Sequence, residues 1–122
     1  MSTWRDKYKV HPAADVFSMM SDEELAELGV DIKANGIRNP ITFDSDCLLI
    51  DGRNRLEAAE RVGYKPHAWE FGHYLGDPVA FIISQNIRRR HLTKQQQADL
   101  IVAVIAAFIR ERIREAELCR AS

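Results

Sequence analysis

The chain's residue pattern predicts an α/β fold, α+β in layout, with a small mixed sheet, packed helices and a long C-terminal helix. Three observations lead there. Two short β-type runs, Pro40-Ile41-Thr42-Phe43 and Cys47-Leu48-Leu49-Ile50, flank the polar turn cluster Asp44-Ser45-Asp46. The second run passes through Asp51-Gly52 straight into a helical pattern, Arg53 to Arg61. Two capping boxes, Ser21 with Glu24 and Thr93 with Gln96, open further helices.

Taken in order, residues 1–10 are polar with scattered aromatics and are expected to form a flexible N-terminal arm. His11 to Phe17 fits either an extended segment or a turn of helix, because Pro12 restrains the chain on both sides. From the Ser21 cap, Leu25, Leu28 and Ile32 recur at helical spacing until Gly36, which predicts a helix over 22–35. Gly29 inside it costs about 1 kcal/mol relative to alanine unless close packing demands the missing side chain. The two β-type runs form a hairpin, and the helix after Gly52 buries Leu56, Ala59 and Val62 and ends at Gly63. His67 to Phe71 alternates as a third strand, and Gly72 to Gly76 is a loop. Asp77 caps a helix with Pro78 in its first turn, which runs to about Asn86, where the arginines end it. The final helix carries apolar residues at 100, 101, 104, 105, 108, 109 and 113, and its charged last turns, Arg110 to Arg120, protrude.

At 122 residues, 46% apolar and 29% charged, the chain suits one soluble domain with one modest core. A formal net charge of −1 excludes global attraction to a polyanion, so any affinity for one rests on a local patch. Cys47 and Cys119 lack any CxxC spacing, and neither is expected to form a disulfide. The polar N-terminus lacks the apolar core of a secretion signal and no 18-residue apolar run follows, so a cytoplasmic location is expected, with no membrane partner.

The local patch is two arginine-rich turns, Gly52-Arg53-Asn54-Arg55 and Asn86-Ile87-Arg88-Arg89-Arg90. A strand running into a helix through glycine presents unpaired backbone N–H groups and the positive dipole end, where anions are favoured. Arg53 and Arg55 add guanidinium groups that grip phosphate through two hydrogen bonds each. A plainer account has Asp51 capping the helix and the arginines pairing with Glu57 or other carboxylates. Three successive arginines at 88–90 repel one another, and capping of a helix C-terminus accounts for one or two of them, so an anion is expected between the two turns. His11, His67, His73 and His91 lack the spacing of a zinc set, and no GxSxG, HExxH or P-loop pattern is present.

Three stretches in order, Glu24 to Pro40, Ile50 to Gly63 (IDGRNRLEAAERVG) and Gln85 to Ala98 (QNIRRRHLTKQQQA), resemble the N-terminal domain of ParB-type partition proteins, in the ParB/sulfiredoxin-like superfamily. The resemblance covers about 11–98, leaving 94–122 as a C-terminal helix for self-association, a homodimer through residues 100–113. It implies a site for a nucleoside triphosphate, CTP in that family, with Mg2+. Gly52, Arg55, Asn86 and Arg89 match the family's turns, which makes Arg55 and Arg89 phosphate ligands and Asn86 a magnesium ligand; Arg53, Asn54, Arg88 and Arg90 complete the phosphate-binding set. The family's two hydrolytic carboxylates are replaced by Arg53 and Gln85, and one of its arginines by Asn54. Any NTPase activity is therefore expected to be weak, with Asp51 the nearest substitute catalytic group. The phosphate turn has no cysteine, which sets the chain apart from sulfiredoxins, and sequence-specific operator reading through a helix-turn-helix is not expected.

The function expected is a nucleotide-binding switch or adaptor in DNA-associated processes. The alternative is a DNA-binding or nuclease module of the ParB-like type, for which Asp51 and Asp77 are the loop-placed carboxylates. A third reading is a scaffold whose arginines meet an acidic protein partner.

Overall fold

The computed structural model describes residues 3–121. Its α-helices are α1 (Trp4–Lys7), α2 (Asp22–Asn35), α3 (Arg53–Arg61), α4 (Pro78–Arg90) and α5 (Lys94–Ala121), and its strands are β1 (Ile41–Phe43), β2 (Leu49–Asp51) and β3 (Phe71–His73). The sheet has the order β2-β1-β3, with β1 and β2 antiparallel and β1 and β3 parallel, so it is small and mixed.

The capping signals are realised as geometry. Ser21 Oγ accepts the Glu24 N–H at 3.2 Å while Glu24 reaches back to the Ser21 N–H, closing the box that starts α2. Gly36 ends it at φ 76°. Asp77 caps α4 by accepting from Val79 and Ala80, and Pro78 occupies the first turn. The hairpin turn owes its shape to Asp44, whose buried carboxylate accepts from Asp46 N and Leu48 N, both at 2.9 Å. That side-chain turn draws Cys47 out of the expected strand into a left-handed conformation at φ 61°, and β2 begins only at Leu49.

Three expectations change. The N-terminal arm is held rather than loose from Trp4 onward. Trp4 is buried against α3, with its Nε1 donating to Glu57 at 3.0 Å and its backbone N–H to Glu60 at 3.1 Å. Val10 then bridges Leu49, and a 3-10 turn at Ala14–Val16 follows, so the ambiguous His11 to Phe17 stretch is extended at its start and helical at its end. The third strand lies further along than the alternation placed it. Ala68–Glu70 is a 3-10 turn and pairing starts at Phe71, because the Glu70 carboxylate accepts from His67 N at 2.7 Å and Ile37 N at 2.6 Å and pins the chain there. Finally, α4 continues through the arginines to Arg90. Arg88, Arg89 and Arg90 form its last turn, where the helix dipole favours cations, and His91 breaks it at φ 49°.

Two apolar clusters flank the sheet. One joins α1, α2, α3 and the strands through Trp4, Leu25, Ile32, Ile41 and Leu56. The other joins the 3-10 turn, β2, α4 and α5 through Ala13, Phe17, Ile50, Ile82 and Val104. Of the apolar α5 positions, Val104 is fully buried, Leu100, Ile101 and Phe108 are half-buried, and Ile105, Ile109 and Ile113 face outward beside Val102. The helix thus has one stripe used by the domain and a second left exposed.

Candidate anion site between the two arginine turns

The site begins with Gly52. It caps α3 at φ 118°, a conformation that side chains disfavour, and a Cβ there would lie 3.1 Å from both branches of Ile41 and 3.2 Å from its Cα. Glycine is demanded by strand β1 at its back. No side chain caps α3, and its first-turn residues line a cavity of about 470 Å3. Asp51, Gly52, Arg53, Asn54 and Arg55 line this cavity from β2 and α3, and Asn86, Arg89 and Arg90 from α4. The two sequence-distant turns therefore do meet. Arg88 is the exception among the expected residues: it points elsewhere and donates to Gln85 at 3.0 Å.

At the floor, Asp51 joins the turns. Its carboxylate accepts both terminal nitrogens of Arg89, at 2.6 and 2.9 Å, and Nη2 of Arg55 at 3.2 Å. Burial would raise this carboxyl, but the hydrogen bonds and charges of Arg89 and Arg55 outweigh burial and hold it below the usual carboxylate range. Arg55 is itself pulled down by burial, against the opposing pull of Asp51, while the Asp51 hydrogen bonds raise Arg89. Arg55 Nη2 also donates to the Pro40 carbonyl at 3.1 Å, and its Nε is buried without any acceptor among the described residues. A buried donor left unpaired costs about 1–3 kcal/mol.

The remaining expected ligands hold the wall. Arg53 is buried, donating to the Phe17 carbonyl at 2.8 Å and to Asp15 at 3.3 Å. Arg90 lies over the Phe17 ring and donates to the Ser18 carbonyl at 3.2 Å, and Asn54 accepts from Met20 N at 2.9 Å. These three residues, read from the sequence as phosphate ligands, line the cavity and hold the segment 15–20 in its wall. Arg53 in particular has its guanidinium committed to that segment.

Sequence reasoning missed the wall opposite the arginines: Ser18, Met19, Met20, Leu28 and Asn39. Most of these sit on connections between elements, where no local periodicity marks them. Glu24 also lines the cavity, although its pattern announced only a cap.

Asn86 gives its Nδ2 to the Ile82 carbonyl at 2.8 Å, which leaves its Oδ1 as the atom available to a cation. Among the described residues no group of three His, Cys, Asp or Glu side chains comes together to hold a metal. Of the two carboxylates expected in loops for a nuclease, Asp51 ends β2, and Asp77 caps the start of α4, about 18 Å along that helix from Arg89 at 1.5 Å per residue. Asp51 and Asp77 do not share a site.

Comparison of the chain with family models, with curated proteins and with solved structures finds no match. Among the described residues no helix is long and apolar enough to cross a membrane.

Proposed function

We propose that the chain binds a nucleoside triphosphate, with the phosphates seated between Arg55 and Arg89 at the start of α3. The observation that carries this reading is the convergence of two guanidinium groups from separate helices beside an uncapped helix N-terminus in one cavity. Arginine from α3 and arginine from α4 gripping one anion would tie the two helices together, which is what a switch requires. The apolar wall of Met19, Met20 and Leu28, with Asn39 beside it, suits the sugar and base end of a nucleotide better than a bare phosphate. The resemblance to ParB-type domains favours CTP and a role as switch or adaptor in DNA-associated processes.

Binding is better supported than hydrolysis. An ionised, low-pKa carboxylate engaged by two arginines is a weak general base, and this describes Asp51. Magnesium suits the site only as the phosphates' own counter-ion: Asn86 offers one carboxamide oxygen, and the neighbouring position is Gln85. A duplex-binding module needs cations spread along a face, whereas Arg53, Arg55, Arg89 and Arg90 gather around one cavity.

The second apolar stripe of α5, Val102, Ile105, Ile109 and Ile113, extends this reading to a homodimer whose helix pairing is set by nucleotide. Calorimetric titration with CTP, ATP, GTP and tripolyphosphate, with and without magnesium, tests the binding, and native mass spectrometry tests the dimer. Saturable binding lost in both Arg55→Ala and Arg89→Ala is expected. Affinity unchanged in both variants would sink the phosphate site.

A further inference from the structure

We infer that Asp51 is an internal competitor for the anion site, occupying the arginine faces that a phosphate would take and thereby restricting the cavity to ligands with more than one negative charge. This rests on the phosphate reading above and concerns which anions the site accepts. The geometry is that of a bound ligand. Two parallel hydrogen bonds from Arg89 at 2.6 and 2.9 Å and a third from Arg55 at 3.2 Å are the contacts an external carboxylate or phosphate oxygen pair would make. Asp51 supplies them from within the chain, anchored at the end of β2 one residue before the α3 cap.

Charge decides what can displace it. A monoanion that replaced Asp51 would exchange one carboxylate-like contact for another, and an intramolecular group has the advantage of already being in place. A terminal phosphate with two charges, or a polyphosphate with more, neutralises Arg55 and Arg89 together, which one carboxylate charge does not. It also meets the first-turn N–H groups of α3, which Asp51 does not contact. Acetate, chloride and other monoanions are therefore excluded, while polyphosphate is admitted at an affinity lowered by the competition.

Tripolyphosphate is the probe, with acetate as the monoanion control. Asp51→Asn removes the charge at constant size, and Asp51→Glu retains the charge. Asp51→Asn is expected to bind tripolyphosphate roughly tenfold tighter than the native chain, with Asp51→Glu showing no such gain. Without ligand Asp51→Asn is expected to melt lower, since Arg55 loses its counter-charge, and with saturating tripolyphosphate its melting temperature should converge on that of the native chain. A merely structural Asp51 would lower both melting temperatures equally, which overturns the inference. So would weaker binding by Asp51→Asn, which would make Asp51 an organiser of the arginines. If Asp51→Asn does not fold, the native chain still decides. Its Asp51 carboxyl carbon resonance should move on adding tripolyphosphate and stay put on adding acetate, and no movement with either overturns competition. If tripolyphosphate binds neither the native chain nor Asp51→Asn, the phosphate reading falls and this inference with it. If it binds the native chain and Asp51→Asn gains nothing, this inference alone falls.

Discussion

A Cβ placed on Gly29 would stand 2.7 Å from Cγ1 of Val62 and 3.2 Å from the Ala58 carbonyl oxygen, so α2 and α3 touch through the space where a side chain is missing. The helix-propensity cost of Gly29 is therefore offset by close packing. Two effects compete in Gly29→Ala: a propensity gain of about 1 kcal/mol and an overpacking cost of about 1–3 kcal/mol. Val62 can turn its methyl aside, but the Ala58 carbonyl belongs to the α3 backbone and cannot. The expected outcome is a net loss of stability, read as a lower urea midpoint. Adding Val62→Ala should restore only the part due to the methyl group.

The burial of Trp4 makes residues near the N-terminus part of the domain. Trp4→Ala removes a buried indole and its hydrogen bond to Glu57 and is expected to cost about 3 kcal/mol. The two tryptophans separate spectroscopically, since Trp69 is 78% exposed and stacked on His67 at 4.3 Å. In a Trp69→Phe background the fluorescence of Trp4 should be blue-shifted and should move red on unfolding. Red emission from the folded variant would show the N-terminal segment detached.

What could be read from the sequence divides by distance along the chain. The Ser21–Glu24 box, the Asp77–Pro78 start and the glycine turn at 52 each depend on residues within a few positions, and each appears where its pattern placed it. The convergence of the arginine turns was expected, but the fates of individual arginines were not legible. Arg53 finds the Phe17 carbonyl 36 residues away, and Arg89 finds Asp51 38 residues away. The reading that arginines pair with carboxylates was right in kind, with Asp51 rather than Glu57 as the partner in the cavity; Glu57 pairs with Arg61. The third strand was displaced for a similar reason: Glu70 bonds to Ile37, 33 residues back, and that long-range tie overrides a weak local alternation.

The depressed Asp51 carboxyl has a pH consequence whose sign is fixed. A carboxyl whose pKa is lower folded than unfolded contributes stability that is complete above the unfolded value, near 3.9, and lost as pH falls through the folded value. The native chain should therefore be more stable than Asp51→Asn at pH 6, with the gap closing below about pH 4. Glu57 and Glu70 are also held low and act in the same direction, so both proteins weaken in acid, and the difference between them isolates Asp51. Denaturant midpoints measured across this range decide the matter, and a constant gap would mean that Asp51 carries no linked proton.

Arg53 and Arg89 provide the sharpest contrast, because both belong to arginine-rich turns and the structure gives them different partners and burial. Arg53 is buried and spends its guanidinium on the Phe17 carbonyl and Asp15, so Arg53→Ala should lower stability by about 2 kcal/mol through the loss of charge-assisted hydrogen bonds. It makes no hydrogen bond to the Asp51 carboxylate at the proposed anion position, and tripolyphosphate affinity in the folded fraction should change by less than about threefold, under 1 kcal/mol. Arg89 has a side chain 43% exposed, lines the cavity and gives both terminal nitrogens to Asp51. Arg89→Ala leaves Asp51 its partner Arg55, so the fold should lose little, while affinity for tripolyphosphate should fall at least about tenfold. Melting curves and titrations on the two variants give four values. Equal losses of affinity in both would mean that the arginines act as one diffuse positive patch, and an unchanged affinity in Arg89→Ala would remove α4 from the site altogether.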